Sequence, residues 1–375
     1  MSGIYLHIPF CKQACHYCDF HFSTSLKKKD DMLSALLSEI EMRKAEAGTG
    51  PIETIYFGGG TPSVLSTSEI GRLLDVIYSH YAVSDNPEIT LEANPDDLSD
   101  GKLAEWAATP INRLSIGIQS FFDEDLRLMN RAHDAESAKR VLAEAVSYFD
   151  NISVDLIYGI PGMDDDKWLT NVDTVVASGV PHISSYALTV EPRTALKKMI
   201  ATGQVNAPSD EAANRHFHLL SNRLAEAGFL HYELSNFGKP GYFSRNNSAY
   251  WLGKNYIGIG PSAHSYDGVS RSWNVANNTL YIKGIHDKVR PAETEVLTPA
   301  DRFNETVMTG LRTMWGISLS KVEHQFGSDF HRYLLASAAR FIEEGLLHLE
   351  GDALKTTQKG KFLADGLASD LFYVG

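Results

Sequence analysis

The sequence predicts an α/β protein, an open (β/α)6 partial TIM barrel followed by a smaller mixed region with a winged-helix-like C-terminal domain. Three observations predict it. Strand-like and helix-like segments alternate six times over the first 190 residues, a pattern that demands parallel strands joined by right-handed crossovers. Six such units are two short of a closed eightfold barrel. Chemically capable side chains recur where these strands end, the end at which parallel barrels gather their loops. With 375 residues, 43% apolar and 22% charged, the chain has the composition of a globular protein with ample core.

Taken in order, Ile4–Ile8 is a short apolar run and makes the first strand. Met32, Leu36 and Ile40 then share a face with Leu33 and Leu37, the spacing of an amphipathic helix. Thr54–Phe57 (strand), Thr67–Tyr81 (helix), Glu88–Glu92 (strand) and Lys102–Ala107 (helix) follow. Arg113–Gly117 (strand), Ala135–Tyr148 (helix), Ser153–Tyr158 (strand), Lys167–Ser178 (helix) and Ile183–Leu188 (strand) complete the alternation. Residues 1–190 are therefore read as the barrel. Residues 191–297 form a mixed, barrel-completing region with a helix at Asp210–Ala227, a strand-like His231–Leu234 and an aromatic, glycine-rich stretch from Tyr242 to Tyr266. Residues 298–375 are helix-rich and carry a hairpin, Leu346–Leu349 and Ala353–Thr356, turned by Gly351-Asp352.

Charge and cysteine usage narrow the function. Lys and Arg number 34 against 47 Asp and Glu, a net charge of −13 that repels phosphate backbones, so no nucleic-acid partner is expected. The winged-helix-like segment has no basic face either: His331 to Gly375 holds five Lys/Arg against six Asp/Glu, which favours a structural or docking role. The basic run Lys27–Lys29 leads directly into Asp30 and Asp31 and reads as a solvated helix start. No 18-residue apolar window and no secretory signal pattern are present, so a cytoplasmic location is expected. The three cysteines all lie between positions 11 and 18, which argues for a metal rather than a disulfide framework.

Cys11, Cys15 and Cys18 form a CxxxCxxC pattern on the loop after the first strand. Two readings follow from the residues. One is structural zinc with His7, His16 or His21 as fourth ligand, although zinc sites favour CxxC pairs on separate arms. The other is a [4Fe–4S] cluster on three thiolates with one iron open. Further polar residues fall at later strand ends: Gly58–Thr61 after the second, Glu92 ending the third, Gln119 after the fourth and Asp155 on the fifth. On the residues alone, Arg131 is a helix-end cation or a ligand, and Asp155 a strand-end cap or a ligand. Gly58-Gly59-Gly60 is not a P-loop, since no GxxxxGK[ST] occurs. Gly258-Ile259-Gly260-Pro261-Ser262-Ala263 matches the dinucleotide fingerprint in letter, but Pro261 interrupts it and no phosphate-binding helix follows.

Several blocks in fixed order carry a family resemblance: Tyr5-Leu6-His7-Ile8-Pro9-Phe10-Cys11 with the cysteine motif, Ile55 to Ser63 (IYFGGGTPS), Glu92-Ala93-Asn94-Pro95, Ser115 to Ser120 (SIGIQS), Asp155 to Gly162 (DLIYGIPG) and Tyr256 to Gly260 (YIGIG). Together they resemble the radical S-adenosylmethionine superfamily. Within it they are similar to the oxygen-independent coproporphyrinogen oxidase branch, and most similar to the HemW-type heme chaperones there. The resemblance implies a [4Fe–4S] cluster on Cys11, Cys15 and Cys18, whose open iron binds S-adenosylmethionine and whose electron cleaves it to a 5′-deoxyadenosyl radical. It implies Tyr5, Tyr17, Gly59, Gly60, Thr61 and Glu92 around a first S-adenosylmethionine, the glycines letting backbone approach the methionyl amine. It also implies Gln119, Arg131, Asp155 and Thr189 around a second.

Two departures separate the chain from the oxidases of that branch. They carry a further cysteine two residues after the motif, where Asp19-Phe20 stands here, and a long extension before it, whereas Cys11 lies near the start. Both imply a heme chaperone, which binds heme and passes it to acceptor proteins, served by a reductant protein for the cluster and associated with membranes only peripherally through an acceptor. The alternative is oxygen-independent coproporphyrinogen III dehydrogenation by radical oxidative decarboxylation. The family's HNxxYW motif reads Asn246-Asn247-Ser248-Ala249-Tyr250-Trp251, with Asn246 in place of the histidine. Asn is a poor iron ligand, so Tyr250, His264 or His231 is expected to serve, with Tyr250 and Trp251 stacking on heme and Arg245 meeting a propionate. Asn246→His is then expected to strengthen heme binding or to change the heme's absorption spectrum. The bland reading of the Tyr-Trp pair is core packing.

Overall fold

The architecture is that of a computed structural model, which describes residues 3–47, 50–99 and 101–374. Six parallel strands, β1 (Gly3–Ile8), β2 (Ile52–Gly59), β3 (Val83–Ala93), β4 (Arg113–Gln119), β5 (Ile152–Tyr158) and β6 (His182–Ala187), lie side by side in chain order. Helices Lys29–Met42, Thr67–His80, Lys102–Ala107, Ala135–Tyr148 and Asp165–Ser178 connect them. Three of these helices start at side-chain caps: Ser66 and Glu69 form a capping box, and the Asp134 and Asp164 side chains accept from backbone amides three residues on. Every residue of β4 is buried, as a parallel strand covered on both faces should be. The open (β/α)6 expectation therefore holds, with strand ends shifted by a few residues; the largest shift is in β3, which starts at Val83.

The sheet is wider than six strands. It gains β7 (Leu230–Glu233), β8 (Asn236–Gly238), β9 (Tyr256–Ile259), β10 (His264–Tyr266), β11 (Ser270–Asn274) and β12 (Ala292–Val296), in the order β12-β11-β10-β9-β1-β2-β3-β4-β5-β6-β8-β7. β9 pairs parallel with β1 (Gly3 opposite Tyr256), whereas β8 runs antiparallel to β6. The glycines of the apparent dinucleotide fingerprint sit in β9 and the turn to β10, a strand-turn-strand passage that has no phosphate-binding helix.

The added strands are tied to the barrel by a buried charge. Glu39, fully buried on the helix Lys29–Met42, accepts from Gly260 N (2.8 Å), Tyr281 OH (2.6 Å) and Asn274 Nδ2 (2.8 Å). Arg43 Nη1 stands 3.4 Å and Arg290 Nε 3.7 Å from the same carboxylate, so its desolvation is offset by two cations and three neutral donors. A second apolar cluster, including Phe303, Leu311, Ile317, Leu334, Leu354 and Leu371, packs helices Pro299–Leu311, Leu319–Phe326 and Ser328–Glu343 on a small sheet. That sheet is β13 (Ile317–Ser318), β14 (Leu347–Glu350) and β15 (Ala353–Thr356), ordered β13-β15-β14, the expected winged-helix-like arrangement. No helix of the described residues is long and apolar enough to cross a membrane.

Candidate functional site

The loop leaving β1 is closed on itself and pinned from the side. Cys11 N donates to Ser23 O (3.1 Å) and Ser23 N to Pro9 O (2.9 Å). His16 N donates to Met129 O (3.0 Å), and Asn130, held at φ +57°, donates through Nδ2 to Ala14 O (2.7 Å). The end of β2 is stitched to the same loop by Gly60 N to Ile8 O (2.9 Å) and Thr61 N to Phe10 O (2.7 Å). A Cβ on Gly60 would stand 2.6 Å from the Phe10 carbonyl oxygen, so only glycine lets the two segments lie this close. The space beside Gly60 is thus filled by the cysteine loop itself, a use of the glycine that the sequence did not reveal.

This bracing sets Cys11, Cys15 and Cys18, all free, on the wall of a cavity of about 580 Å³. Tyr17, Gly59, Gly60, Thr61, Glu92, Gln119, Asp155 and Thr189 line the same cavity, so residues from all six parallel strands meet in one mouth. Arg131 adjoins it, donating from Nη1 to Cys15 Sγ at 3.3 Å. Tyr5 is not among them: its hydroxyl lies 3.3 Å from His7 Nδ1 and it faces a neighbouring cavity.

The donor set fits an iron–sulfur cluster better than zinc. Among the described residues no three His, Cys, Asp or Glu side chains close on one point as a single ion requires. Of the histidines considered as zinc ligands, His7 has both ring nitrogens engaged, and His16 and His21 each have one. His7 Nε2 pairs with His21 O (2.8 Å), His16 Nδ1 with Leu128 O (2.8 Å) and His21 Nε2 with Asn278 Oδ1 (2.7 Å). Burial raises the pKa of the Cys11 thiol and pushes that of Cys18 up to about 11, so thiolate formation calls for the positive charge of bound metal.

Two carboxylates dominate the opposite wall. Glu92 accepts from Tyr56 OH (2.7 Å) and Gly59 N (3.2 Å), and burial still pushes its pKa from 4.5 to about 7. Asp155 is likewise raised to about 7 by burial and then by the charge of Glu92, against a Ser115 hydroxyl at 3.4 Å and the nearby Arg131 and Arg113. Both also line a polar chamber of about 110 Å³ beneath, with Arg113. Arg113 is buried, donates from Nη1 to Asn151 Oδ1 (2.5 Å), and leaves Nε without a partner among the described residues. Carboxylates poised near neutrality beside a cation with a spare N–H fit a ligand that carries both charge signs, as an amino-acid moiety does. Gln119 adds a strained backbone at φ +70°, where β4 slips register against β5, and its side chain accepts from Tyr186 OH (3.2 Å). Such a conformation costs about 1–3 kcal/mol and persists where surroundings over-determine it.

The segment expected to meet heme lies elsewhere than its sequence suggested. Residues Arg245–Trp251 form a short helix capped by Ser244, and Ser244 and Asn247 line the 110 Å³ chamber under Glu92. Asn246 is buried, its N–H donating to Glu88 Oε1 (3.0 Å) and its Oδ1 accepting from the Thr54 hydroxyl (3.1 Å), so it faces the barrel floor. Arg245 is exposed and donates from Nη1 to Asn86 O (2.8 Å). Tyr250 and Trp251 diverge. Tyr250 packs edge-on against Tyr256, 4.3 Å between centroids, in the cavity that holds Tyr5; Trp251 turns to the Arg312 guanidinium at 5.5 Å. His231 stacks on Phe237 at 4.0 Å, apart from both, while His264 shares the cavity with Tyr250.

Residues 5–175 match the radical SAM superfamily and residues 297–363 the HemN C-terminal domain. The heme chaperone HemW of Mycobacterium tuberculosis (strain H37Rv) is 35% identical over 375 aligned residues, covering 98% of this chain and 94% of that one. This chain belongs to the HemW family of radical SAM proteins. HemW of Bacillus subtilis is 33% identical, with 97% of each chain covered. The mitochondrial radical S-adenosyl methionine domain-containing protein 1 of Mus musculus is 32% identical over 98% of this chain and 86% of its own. Coproporphyrinogen III oxidase (HemN) from Escherichia coli shares the fold, with a TM-score of 0.86 over 99% of this chain and 90% of that one at 24% identity. Radical SAM membership brings a [4Fe–4S] cluster and S-adenosylmethionine to this HemW-family chain. Sequence reasoning passed over Tyr56 and Asn94, although both lie in the blocks that carry the resemblance; Tyr186, which reaches Gln119, had no signal of its own.

Proposed function

We propose that the protein is a heme chaperone that binds heme and delivers it to acceptor proteins, with a [4Fe–4S] cluster and S-adenosylmethionine as resident cofactors. The observation that carries this is the relation to HemW over nearly the whole length of both chains. Cys11, Cys15 and Cys18 hold the cluster. Tyr17, Gly59, Gly60, Thr61 and Glu92 hold S-adenosylmethionine, with Gln119, Arg131, Asp155 and Thr189 completing the wall and Tyr5 supporting it through His7. When bound, these cofactors supply a one-electron cleavage of a carbon–sulfur bond. The chain's own part is to bind and orient: the ionised form of Glu92 accepts from the methionyl ammonium, and Asp155 holds a proton until a cation displaces it. Tyr250 is the member of the Tyr-Trp pair that faces a cavity able to receive heme, with Trp251 bracing the helix against Arg312.

The same reading divides the chain into a barrel at 1–190, a completing region at 191–297 and a C-terminal domain at 298–375. It places the protein in the cytoplasm, where free thiols stay reduced, with a reductant protein for the cluster and acceptors reached at the membrane surface. The test is anaerobic reconstitution followed by heme titration and porphyrinogen decarboxylation on one sample. Stoichiometric heme uptake without turnover is expected. Decarboxylation would assign the chain to the oxidases instead.

A further inference from the structure

We infer that His264 supplies the ligand to the heme iron, in the cavity it shares with Phe20, Tyr250 and Tyr256. The inference rests on the heme-chaperone reading and adds to it the place and chemistry of the cargo site.

This cavity, of about 350 Å³, contains three imidazoles, His7, His21 and His264. His7 has both ring nitrogens engaged, Nε2 on His21 O and Nδ1 toward Tyr5 OH, while His21 is held through Nε2 on Asn278 Oδ1 and keeps Nδ1 free among the described residues, deeper in the cavity wall. His264, exposed at the start of β10, has no hydrogen bond to either ring nitrogen among the described residues. It is nonetheless oriented, because its ring stacks on Trp273 at 5.8 Å between centroids and 27° between planes. A fixed imidazole with a free lone pair is what heme iron takes as an axial ligand.

The walls suit the macrocycle. Tyr250 and Tyr256 offer ring faces and edges, and Phe20 stands 70% exposed at the rim. An exposed phenylalanine in this position leaves apolar surface wet, and a flat apolar ligand laid on it recovers that burial at about 25 cal/mol per Å². Phe20 and Asp19 also line the 580 Å³ cofactor cavity, so the cargo lies one side chain away from the cluster loop. Since the cavity opens at the exposed Phe20 and His264, heme can leave for an acceptor without unfolding the barrel. Asn246 does not line this cavity but supports it from behind, through a side-chain hydrogen bond with Tyr250.

The experiment titrates heme into anaerobically reconstituted wild type, His264→Ala, His264→Gly and His231→Ala, reading the Soret band and the ferric electron paramagnetic resonance spectrum. The wild type is expected to show a nitrogen-ligated signature. His264→Ala should shift the Soret band and weaken binding by at least the roughly 10–100-fold that losing a supporting group costs a metal site. Added imidazole should restore the wild-type spectrum to His264→Gly, and His231→Ala should leave affinity and spectrum unchanged. Cluster absorbance and circular dichroism verify the fold of each variant. If the wild type takes up no heme, the chaperone reading fails. If it binds heme but His264→Ala matches it in affinity and spectrum, or the wild-type signature is that of sulfur or phenolate ligation, the chaperone reading stands and the His264 assignment is overturned; the wild-type spectrum decides this even if a variant misfolds.

Discussion

Arg131 grips the cysteine loop through Cys15: Nη1 stands 3.3 Å from the sulfur while Nη2 donates to Asn94 Oδ1 (2.5 Å) and Gly117 O (2.6 Å). A residue that the family resemblance assigned to a second S-adenosylmethionine is therefore already engaged, as a strut between the strand ends and the thiols. Its fixed fork of donors is what a lysine could not reproduce.

The loop should be separable from the barrel that carries it. Reconstituted wild type is expected to hold about four irons and four sulfides per chain, and Cys15→Ala to lose them while keeping its far-ultraviolet dichroism, since the three thiols line a cavity rather than the core. Arg131→Lys should load a cluster but release it faster on chelator challenge. Iron and acid-labile sulfide assays decide both; zinc without sulfide in anaerobic protein would refute the cluster.

Glu92 couples ligand and pH. Its folded pKa near 7 lies above the ordinary value of 4.5, so between these the folded state holds a proton that the unfolded chain has released. Stability of the cofactor-free protein should therefore fall as pH rises from 4.5 to 7 and then level off. Glu92→Gln should flatten part of this slope, the remainder belonging to Asp155, in thermal melts taken across the window. Glu92→Ala should weaken S-adenosylmethionine binding by about 1.5–3 kcal/mol, the worth of a charge-assisted hydrogen bond, in calorimetric titration at pH 8.

Glu39 should matter for folding and not for chemistry. Its loss removes the acceptor of Gly260 N and Tyr281 OH and one partner each from Arg43, which keeps Gly258 O, and Asn274, which keeps Gly260 O. Glu39→Ala is expected to cost about 3–5 kcal/mol in urea unfolding. An unchanged midpoint would show that the β9–β11 extension is held by packing alone.

Asn246→His, which the motif comparison favours as a gain of heme ligand, should do the opposite. The position is 5% exposed and its neighbours include Thr54, Glu88, Gly3 and the Tyr250 side chain, so a larger ring overpacks the barrel floor by about 1–3 kcal/mol. The melting temperature should drop and the Soret band of bound heme should not move.

What the sequence made legible, and what it did not, follows from the range of each signal. β1 to β6 were readable because short strand-like segments such as Ile4–Ile8 and Ser153–Tyr158 alternate with helical patterns. β8 to β12 span three to five residues each and pair along the sheet edges with little alternation, so nothing local marks them. The cysteines, the glycine run and Glu92 stood out as residue types in motifs. The partners that give them their chemistry did not, because Tyr56, Asn94 and Tyr186 meet them only across strands. Tyr250 and Trp251 show the limit from the other side: adjacent in sequence, they leave a helix about 100° apart, so a motif that names both cannot say that only one faces a cavity.

The pairing of Gly3 with Tyr256 has a consequence for how the protein is made. β1 and the thiols that follow it leave the ribosome some 250 residues before the strand that flanks β1, an interval of about 12–50 s at roughly 5–20 residues per second. The chamber floor, built from Ser244 and Asn247, arrives only slightly sooner. Through that interval the nascent chain displays an unpaired edge on β1, whereas every residue lining the cofactor cavity, the last being Glu191, is made before the interval ends. The mouth that encloses the thiols is therefore synthesised before the strand that completes the sheet beside it.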